Sequence, residues 1–142
     1  MHIVALKSPD SRDHRSVIHP DTVEKISALK GVTFSFESGI GHGINISDQT
    51  FTDMGLKALS RDECLSQGNL IITPSSLTLD EAVKVEPGST VLGMVNPFYA
   101  GDELKALNQS RINVVSMEFI PRITRAQKMD VLSSQANLAG YA

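Results

Sequence analysis

The sequence has no tryptophan, a single cysteine and few aromatic side chains of any kind. Aromatic residues make up 5% of its 142 residues, which leaves little surface on which nucleic-acid bases could stack. The net charge of −3 gives no electrostatic reason to expect a nucleic acid or an anionic membrane as a partner. Because Cys64 has no second cysteine to pair with, an internal disulfide is excluded and a reducing cytoplasm is the expected setting.

Long apolar runs are missing as well. No segment approaches the roughly 20 apolar residues that cross a bilayer, and the chain opens on a strand-like stretch instead of a signal peptide. What is present is the balance of a globular domain, with 41% hydrophobic and 20% charged residues. The expected protein is one soluble, cytoplasmic domain with its own core.

Short apolar, β-branched runs alternate with helical patterns along the chain. The runs cover residues 2–6, 32–37, 70–73, 90–95 and 112–117. Several of them are apolar throughout, which is typical of strands that are buried on both faces. The alternation predicts an α/β fold: a mostly parallel open sheet of about five strands with helices on both faces, of the Rossmann-like or flavodoxin-like kind.

The helical patterns carry clear start signals. Ser60 with Glu63, and Thr78 with Glu81, have the spacing of a capping box. Asp21 and Glu24 mark the start of a helix over residues 22–29, which Gly31 ends, and residues 100–107 fit a further short helix. Residues 8–15 are polar and predict a loop after the first strand, at the sheet edge where open α/β folds bind ligands.

A glycine-rich stretch follows the second run. Residues 39–43 read Gly-Ile-Gly-His-Gly, but position 44 is Ile and the residues after it do not open a helix. A dinucleotide-binding fingerprint needs Gly-x-Gly-x-x-Gly running into a helix. The stretch is interpreted as a loop that requires positive φ angles, and the chain is predicted to lack a complete dinucleotide-binding unit of its own.

Other reactive side chains are scattered. The histidines show no metal-ligand spacing, and Cys64 fits a small packing residue. Asp10, Arg12, Asp13 and Arg15 form a mixed charge cluster in the first loop, beside His14. Taken alone, these side chains indicate a solvated loop.

The last eighteen residues form the most distinctive segment. Thr124 and Gln127 have capping-box spacing, which predicts one helix from Thr124 to the chain end. An apolar stripe recurs at steps of 3, 4 and 3 along it, through Met129, Leu132, Ala136 and Ala139. Leu132 is predicted to belong to a buried stripe. On these residues alone, the favoured interpretation is that Gln127 is a cap, Asp130 a partner of the helix dipole and Ser133 a solvated surface residue.

The same segment carries a resemblance to a known family. Residues 120–141, with Pro121-Arg122, Arg125-Ala126-Gln127 and Leu132-Ser133-Ser134-Gln135 among them, resemble the segment that ends the first subdomain of the transhydrogenase alpha subunit. That family shares its N-terminal domain with alanine dehydrogenase. The opening strand, the Arg15-Ser16-Val17 segment and the Glu37-x-Gly-x-Gly loop followed by Asp48 fit the family in outline.

Three positions depart from the family pattern. Ser8 stands where a Glu usually follows the first Lys, Thr73 stands where a Lys-Val pair precedes a proline, and Asn96 stands where alanine dehydrogenases place a substrate-binding His. Two groups that would hold a keto-acid are therefore missing. These departures count against the first rival, an alanine dehydrogenase-like amino-acid oxidoreductase.

The resemblance implies a role within a larger enzyme. It predicts that Arg122, Gln127, Asp130 and Ser133 face the nicotinamide end of bound NAD(H), with Gln127 and Asp130 as catalytic residues and Arg15 as a candidate ligand contact. The whole enzyme would exchange hydride between NAD(H) and NADP(H), coupled to proton translocation.

The resemblance also implies partners and an arrangement of domains. Residues 1–142 would be one subdomain, and residues 124–142 would start a helix linking it to an absent NAD-binding domain. A beta-type subunit would bind NADP beside a membrane domain at the inner membrane, and the full subunit would form a homodimer. The isolated chain is expected to be inactive. A second rival is a non-catalytic binding domain of the same fold, against which the intact site residues count.

Overall fold

The computed structural model describes residues 1–140, and Tyr141 and Ala142 lie outside the described part. Six strands form one sheet in the order β3-β2-β1-β4-β5-β6, and every neighbouring pair is parallel. The strands are β1 His2–Ala5, β2 Thr33–Glu37, β3 Lys57–Leu59, β4 Leu70–Thr73, β5 Thr90–Gly93 and β6 Asn113–Ser116. The order reverses between β1 and β4, which makes this the topological switch point of a doubly wound fold.

Helices connect the strands in sequence. The α-helices are α1 Pro20–Ser27, α2 Asp48–Asp53, α3 Arg61–Gln67, α4 Leu79–Ala82, α5 Gly101–Gln109 and α6 Val131–Gly140. Short 3₁₀ helices cover His42–Ile44, Met117–Phe119 and Thr124–Met129. The predicted strand–helix alternation and parallel sheet are confirmed.

The expected strand count of about five is corrected to six. The additional strand is β3, which pairs with β2 at the outer edge of the sheet through the register Ser35↔Lys57 to Glu37↔Leu59. It is three residues long and begins with an exposed lysine, so it lacks the apolar run that predicts the other strands. Edge strands are commonly short and charged because their free edge would otherwise pair with other chains.

The core consists of two clusters, one on each face of the sheet. One face packs against α3, α4 and α5 through Leu65, Ala82 and Leu107. The other packs against α1 and α2 through Val23 and Phe51. On this second face Phe36 of β2 meets Phe51 with ring centroids 5.3 Å apart. The prediction of helices on both faces is therefore confirmed.

Local capping chemistry sets where the helices start. The capping boxes of Ser60 with Glu63 and of Thr78 with Glu81 are both formed. The first helix differs from the prediction: His19 caps α1 in a reciprocal pair with Thr22, two residues ahead of the predicted Asp21. A histidine ring nitrogen can accept a backbone N–H, and Pro20 then suits the first helical turn because it has no N–H to satisfy.

A partly buried ion network joins Arg61 at the start of α3 to the loop after β1, to the end of β2 and to α4. The Arg61 guanidinium donates to Glu37 Oε2 at 2.9 Å, to the Lys7 carbonyl at 3.1 Å and to the Glu81 carboxylate. Burial alone would raise the pKa of Glu81, but the hydrogen bonds from Arg61 and the Thr78 backbone hold it below its usual value. Breaking a buried ion pair leaves an uncompensated charge, so this network fixes the carboxyl edge of the sheet.

The predicted continuous C-terminal helix is wrong in two respects. Residues 124–129 are a 3₁₀ helix that begins without a side-chain cap, so the Thr124–Gln127 capping box is not formed. An α-helix begins only at Val131, because Asp130 has a non-helical ψ of 88° and its carboxylate accepts the Ser133 N–H at 3.0 Å. No described residue of α6 is buried, so Leu132 is half-buried instead of belonging to a buried stripe.

The described residues contain no helix that is both long and apolar enough to span a bilayer.

Candidate functional site

The 3₁₀ helix over Thr124–Met129 organises the C-terminal segment with a period of three residues. Because a 3₁₀ helix has three residues per turn, residues i and i+3 lie on the same side. Its three sides carry a polar, a basic and an apolar pair, in that order: Thr124 with Gln127, Arg125 with Lys128, and Ala126 with Met129. On the apolar side Ala126 is buried, whereas Met129 is 54% exposed. The polar and basic sides are exposed.

The polar side opens into a cavity of about 320 Å³, here called the terminal cavity. It is lined by Arg122, Ile123, Thr124, Gln127, Asp130 and Ser133. The structure thus brings all four residues of the predicted nicotinamide site into one cavity. Gln127 is exposed in it, and its side-chain amide offers both a donor and an acceptor.

Asp130 joins the terminal cavity to the start of α6. Its carboxylate accepts the Ser133 N–H at 3.0 Å and the Ser133 hydroxyl at 2.5 Å, and its carbonyl accepts the Ser134 hydroxyl at 2.9 Å. Hydrogen bonds from the Ser133 side chain and backbone, helped by the positive charge of Arg122, lower the pKa of Asp130. Asp130 is therefore ionised at neutral pH and is the N-cap of α6, a structural role beside its predicted catalytic one.

Arg15 lies in a different cavity, at the topological switch point. This switch-point cavity, of about 240 Å³, is bordered by the loop after β1 and by the ends of β4 and β5, through residues such as Thr73, Pro74 and Met94. Val131 and Gln135 of α6 line it as well, so α6 separates it from the terminal cavity. The sequence did not predict that α6 borders both cavities, because this depends on where α6 packs in the fold.

Asp13 holds the Arg15 side chain in place. Its carboxylate accepts from Arg15 Nε at 2.8 Å and from Nη2 at 2.7 Å, a bidentate pair. The hydrogen bond from Arg15 lowers the pKa of Asp13 from 3.8 to about 2. Any anion that Arg15 binds must share the guanidinium with Asp13 or displace it.

The Asp13–Arg15 pair gives a titration that can be checked. In NMR titration of the side-chain carboxyl carbons, the midpoint of Asp13 is expected at about 2, and Arg15→Gln should return it toward 3.8. Because the folded-state pKa is depressed, the stabilisation from this pair is present above the ordinary pKa and is lost as the pH falls toward 2. Arg12→Gln is the control, since Arg12 pairs with Asp10. An Asp13 midpoint near 3.8 in the unmodified chain would contradict the pairing.

The glycine-rich loop supports the first loop by close packing. Gly39 has a φ of +82°, which confirms the predicted positive φ there. Gly43 has a different reason: a Cβ atom on it would overlap the carbonyl oxygen of His14. The stretch leads into the short 3₁₀ helix His42–Ile44. It therefore does not run directly into an α-helix, as a dinucleotide fingerprint does.

Two of the positions that depart from the family pattern have structural roles. Thr73 is buried and its hydroxyl donates to the Ser75 carbonyl at 2.7 Å. Asn96 takes a left-handed conformation with φ of +48°, and its N–H donates to Glu118 at 2.7 Å. Neither residue supplies a cation or an imidazole to the switch-point cavity.

Neither a metal site nor a reactive thiol is found among the described residues. No group of three potential metal ligands lies together in residues 1–140. Cys64 is buried, and burial raises the pKa of its thiol to about 12. Its interpretation as a packing residue agrees with its place on α3 within the core.

Known proteins share this fold and sequence. The first part of NAD(P) transhydrogenase subunit alpha from Rickettsia prowazekii is 36% identical over 146 residues, and the corresponding protein from Rhodospirillum rubrum is 33% identical over 148. Each match covers 99% of this chain and 38% of the relative, so the chain spans well under half the length of these proteins.

Solved structures agree with the sequence matches. The crystal structure of transhydrogenase from Sinorhizobium meliloti superposes with a TM-score of 0.89 at 31% identity, over 97% of this chain and 42% of that one. An L-alanine dehydrogenase superposes with a TM-score of 0.77 at 16% identity, over 88% of this chain and 34% of that one, which shows the shared fold alone. The profile of the alanine dehydrogenase/PNT N-terminal domain matches residues 7–139, and the chain therefore belongs to this family.

Proposed function

We propose that this chain forms the nicotinamide-facing side of the NAD(H) site in an NAD(P) transhydrogenase alpha-type subunit. The observation that carries the proposal is the terminal cavity, where Arg122, Gln127, Asp130 and Ser133 meet on the polar side of the 3₁₀ helix and at the start of α6. The cavity volume of about 320 Å³ lies in the range of small-ligand sites.

The residues in the terminal cavity fit a nicotinamide group. A carboxamide needs an acceptor for its NH₂ and a donor for its carbonyl, and Gln127 offers both. Asp130 supplies a fixed negative charge, which favours the positively charged ring of NAD⁺, and Arg122 supplies donors. When bound, the nicotinamide supplies the hydride chemistry. The protein contributes orientation and a local field.

The rest of the NAD(H) site would come from outside this chain. Dinucleotide folds bind the pyrophosphate at a glycine-rich turn running into a helix N-terminus, and the stretch from Gly39 to Gly43 does not form one. The relatives are much longer than this chain, which supports a following dinucleotide-binding domain. In this proposal residues 124–142 begin the connection to that domain, and the chain alone is inactive.

The proposed assembly has further members. NADP(H) would be held by a beta-type subunit, hydride exchange would be coupled to proton translocation through membrane partners, and the full subunit would be a homodimer. The rival activity, amino-acid oxidation, is disfavoured by the switch-point cavity, because Arg15 is the only charged side chain that the described residues contribute to its lining. An NAD⁺-dependent oxidation of alanine by the longer protein would favour that rival.

The proposal makes a direct prediction about binding. The isolated chain is expected to bind NADH weakly, with a Kd in the millimolar range or above, because it lacks the pyrophosphate and adenosine contacts. The longer protein with its dinucleotide-binding domain is expected to bind in the micromolar range. Isothermal titration calorimetry on both proteins measures the difference.

Two results would contradict the proposed function. Submicromolar NADH binding by the isolated chain would show that the missing domain is not needed. The same affinity in the longer protein and in its Gln127→Ala/Asp130→Ala variant, with equal hydride exchange, would show that the terminal cavity is not the nicotinamide site.

A further inference from the structure

A further cavity lies at the amino edge of the sheet, opposite the edge that borders the switch-point cavity. Its volume is about 470 Å³, and the first residues of β1, β2 and β3 line it: His2, Thr33 and Lys57. Apolar side chains form much of the remaining wall, among them Val32, Phe34, Met54 and Leu56. We call this the amino-edge cavity. Its lining residues are separate from those of the terminal cavity and the switch-point cavity.

A serine and a histidine meet in the wall of the amino-edge cavity. The Ser35 Oγ lies 2.8 Å from His2 Nε2, and His2 Nδ1 lies 3.1 Å from the Gln67 carbonyl oxygen. Because a carbonyl oxygen can only accept a hydrogen bond, Nδ1 carries the ring hydrogen. In the neutral ring, Nε2 therefore accepts the hydrogen bond that the Ser35 hydroxyl donates.

This arrangement contains the parts of an activated nucleophile. Such a site needs a hydroxyl, a base within hydrogen-bond reach of it and a third group that orients the base. In the serine hydrolase triad the third group is a carboxylate, which also stabilises the imidazolium that forms. The Gln67 carbonyl fixes the tautomer of His2 without adding a negative charge, so we expect slow turnover.

A lysine lies beside the serine–histidine pair. The Cα atoms of Ser35 and Lys57 are partners in the register of β2 and β3, so both side chains leave the same face of the sheet. Lys57 also lines the amino-edge cavity. A cation at this place favours the negative charge that develops on a carbonyl oxygen when a nucleophile attacks its carbon.

We propose that Ser35 and His2 form a nucleophile–base pair that hydrolyses small carboxylic esters through an acyl-serine. The Ser35 Oγ bonds to the carbonyl carbon of the ester as its proton passes to His2 Nε2. The bond from that carbon to the alcohol oxygen then breaks, and the alcohol leaves with the proton. Water cleaves the acyl-serine in the same way, with His2 taking and returning the proton, and releases a carboxylic acid.

The test uses p-nitrophenyl acetate and a fluorophosphonate probe on the unmodified chain. We expect a burst of nitrophenolate followed by slow turnover, and mass spectrometry should locate the phosphonyl group on Ser35. Ser35→Ala should abolish the burst and the labelling. His2→Gln keeps a hydrogen-bonding side chain that cannot take up a proton, so it should slow labelling about a hundredfold at an unchanged melting temperature.

The matched control is Ser66→Ala, which removes an exposed hydroxyl on α3 whose hydrogen bond goes to the Glu63 carbonyl. It should leave the burst and the labelling unchanged. The proposal fails if the probe does not label Ser35, if His2→Gln is labelled at the unmodified rate, or if Ser66→Ala lowers the burst equally. If Ser35→Ala does not fold, the result for His2→Gln decides. These measurements involve no nucleotide, so their failure leaves the proposed function standing.

Discussion

In the longer protein, replacing Gln127 by alanine is expected to slow hydride exchange between NADH and NADP⁺ by about a hundredfold. Among the side chains that line the terminal cavity, the Gln127 amide is best suited to bind a carboxamide, because it can donate to the carbonyl and accept from the NH₂ group. Hydride transfer depends on the distance and angle between two rings, so a ring that loses an orienting hydrogen bond reacts slowly even when it stays bound. The measurement is single-turnover exchange at saturating nucleotide.

The stability of the Gln127→Ala variant separates orientation from folding. Gln127 is exposed, and substitutions of exposed residues change the free energy of unfolding by about 0.5 kcal/mol or less. Gln109→Ala, the same chemical change at an exposed position at the end of α5, should alter neither rate nor stability. An unchanged hydride-exchange rate in the Gln127→Ala variant would show that Gln127 is not part of the site.

Asp130 differs from Gln127 in what its loss should do. Because the structure makes it the N-cap of α6, Asp130→Ala should lower both the exchange rate and the melting temperature. Asp130→Asn retains a capping side chain without the charge, so it should melt close to the unmodified protein. If the hydride-exchange rate falls in both Asp130→Ala and Asp130→Asn, the negative charge of Asp130 is needed for exchange, independently of its role as a cap.

The largest expected effect on stability is at Phe36. Its side chain is fully buried in β2 against Phe51, and truncating a core phenylalanine to alanine costs about 3–5 kcal/mol through lost burial and the cavity it leaves. Phe98 offers a matched control, because it is 76% exposed and contacts Phe119 edge-on at the surface. Phe98→Ala should change the free energy of unfolding by about 0.5 kcal/mol or less.

Urea denaturation of both phenylalanine variants makes the comparison. A midpoint for Phe36→Ala that matches the unmodified protein would mean that the β2 face is not packed as described. A large loss at Phe98 would mean that the surface aromatic pair is part of the core.

The sheet could be predicted from sequence because its central strands are buried on both faces and leave continuous apolar runs. Ile71 of β4 and Val91 of β5 are fully buried members of such runs. The strand Lys57–Leu59 has no such run, since it is three residues long and lies at the edge. Its position depends on pairing with β2, which is a contact distant in sequence.

The C-terminal segment was predicted with the wrong period. Spacings of 3 and 4 fit an α-helix, and they predict a buried stripe through Leu132 that the structure does not have. Residues 124–129 form a 3₁₀ helix with three residues per turn, and the α-helix starts only after this segment, at Val131. One local signal was available, because aspartate is a favoured N-cap residue and Asp130 directly precedes the α-helix.

The residues of the candidate site were predicted from the resemblance to a known family and not from their spacing in the sequence. Gln127, Asp130 and Ser133 in isolation are ordinary helix-surface residues, and nothing in their spacing identifies a nicotinamide. The structure adds that they converge with Arg122 on one cavity. It also separates Arg15 from them, a distinction that depends on the packing of α6 over the sheet edge.

The period of three in the segment Thr124–Met129 has an evolutionary consequence. Each residue turns a 3₁₀ helix by about 120°, so one inserted or deleted residue there would rotate everything that follows onto another side. A basic or an apolar side chain would replace the amide at the cavity mouth. Related chains that share the proposed site should therefore keep both the length of this segment and the amide at position 127, and a gap within the segment should mark a member without that site.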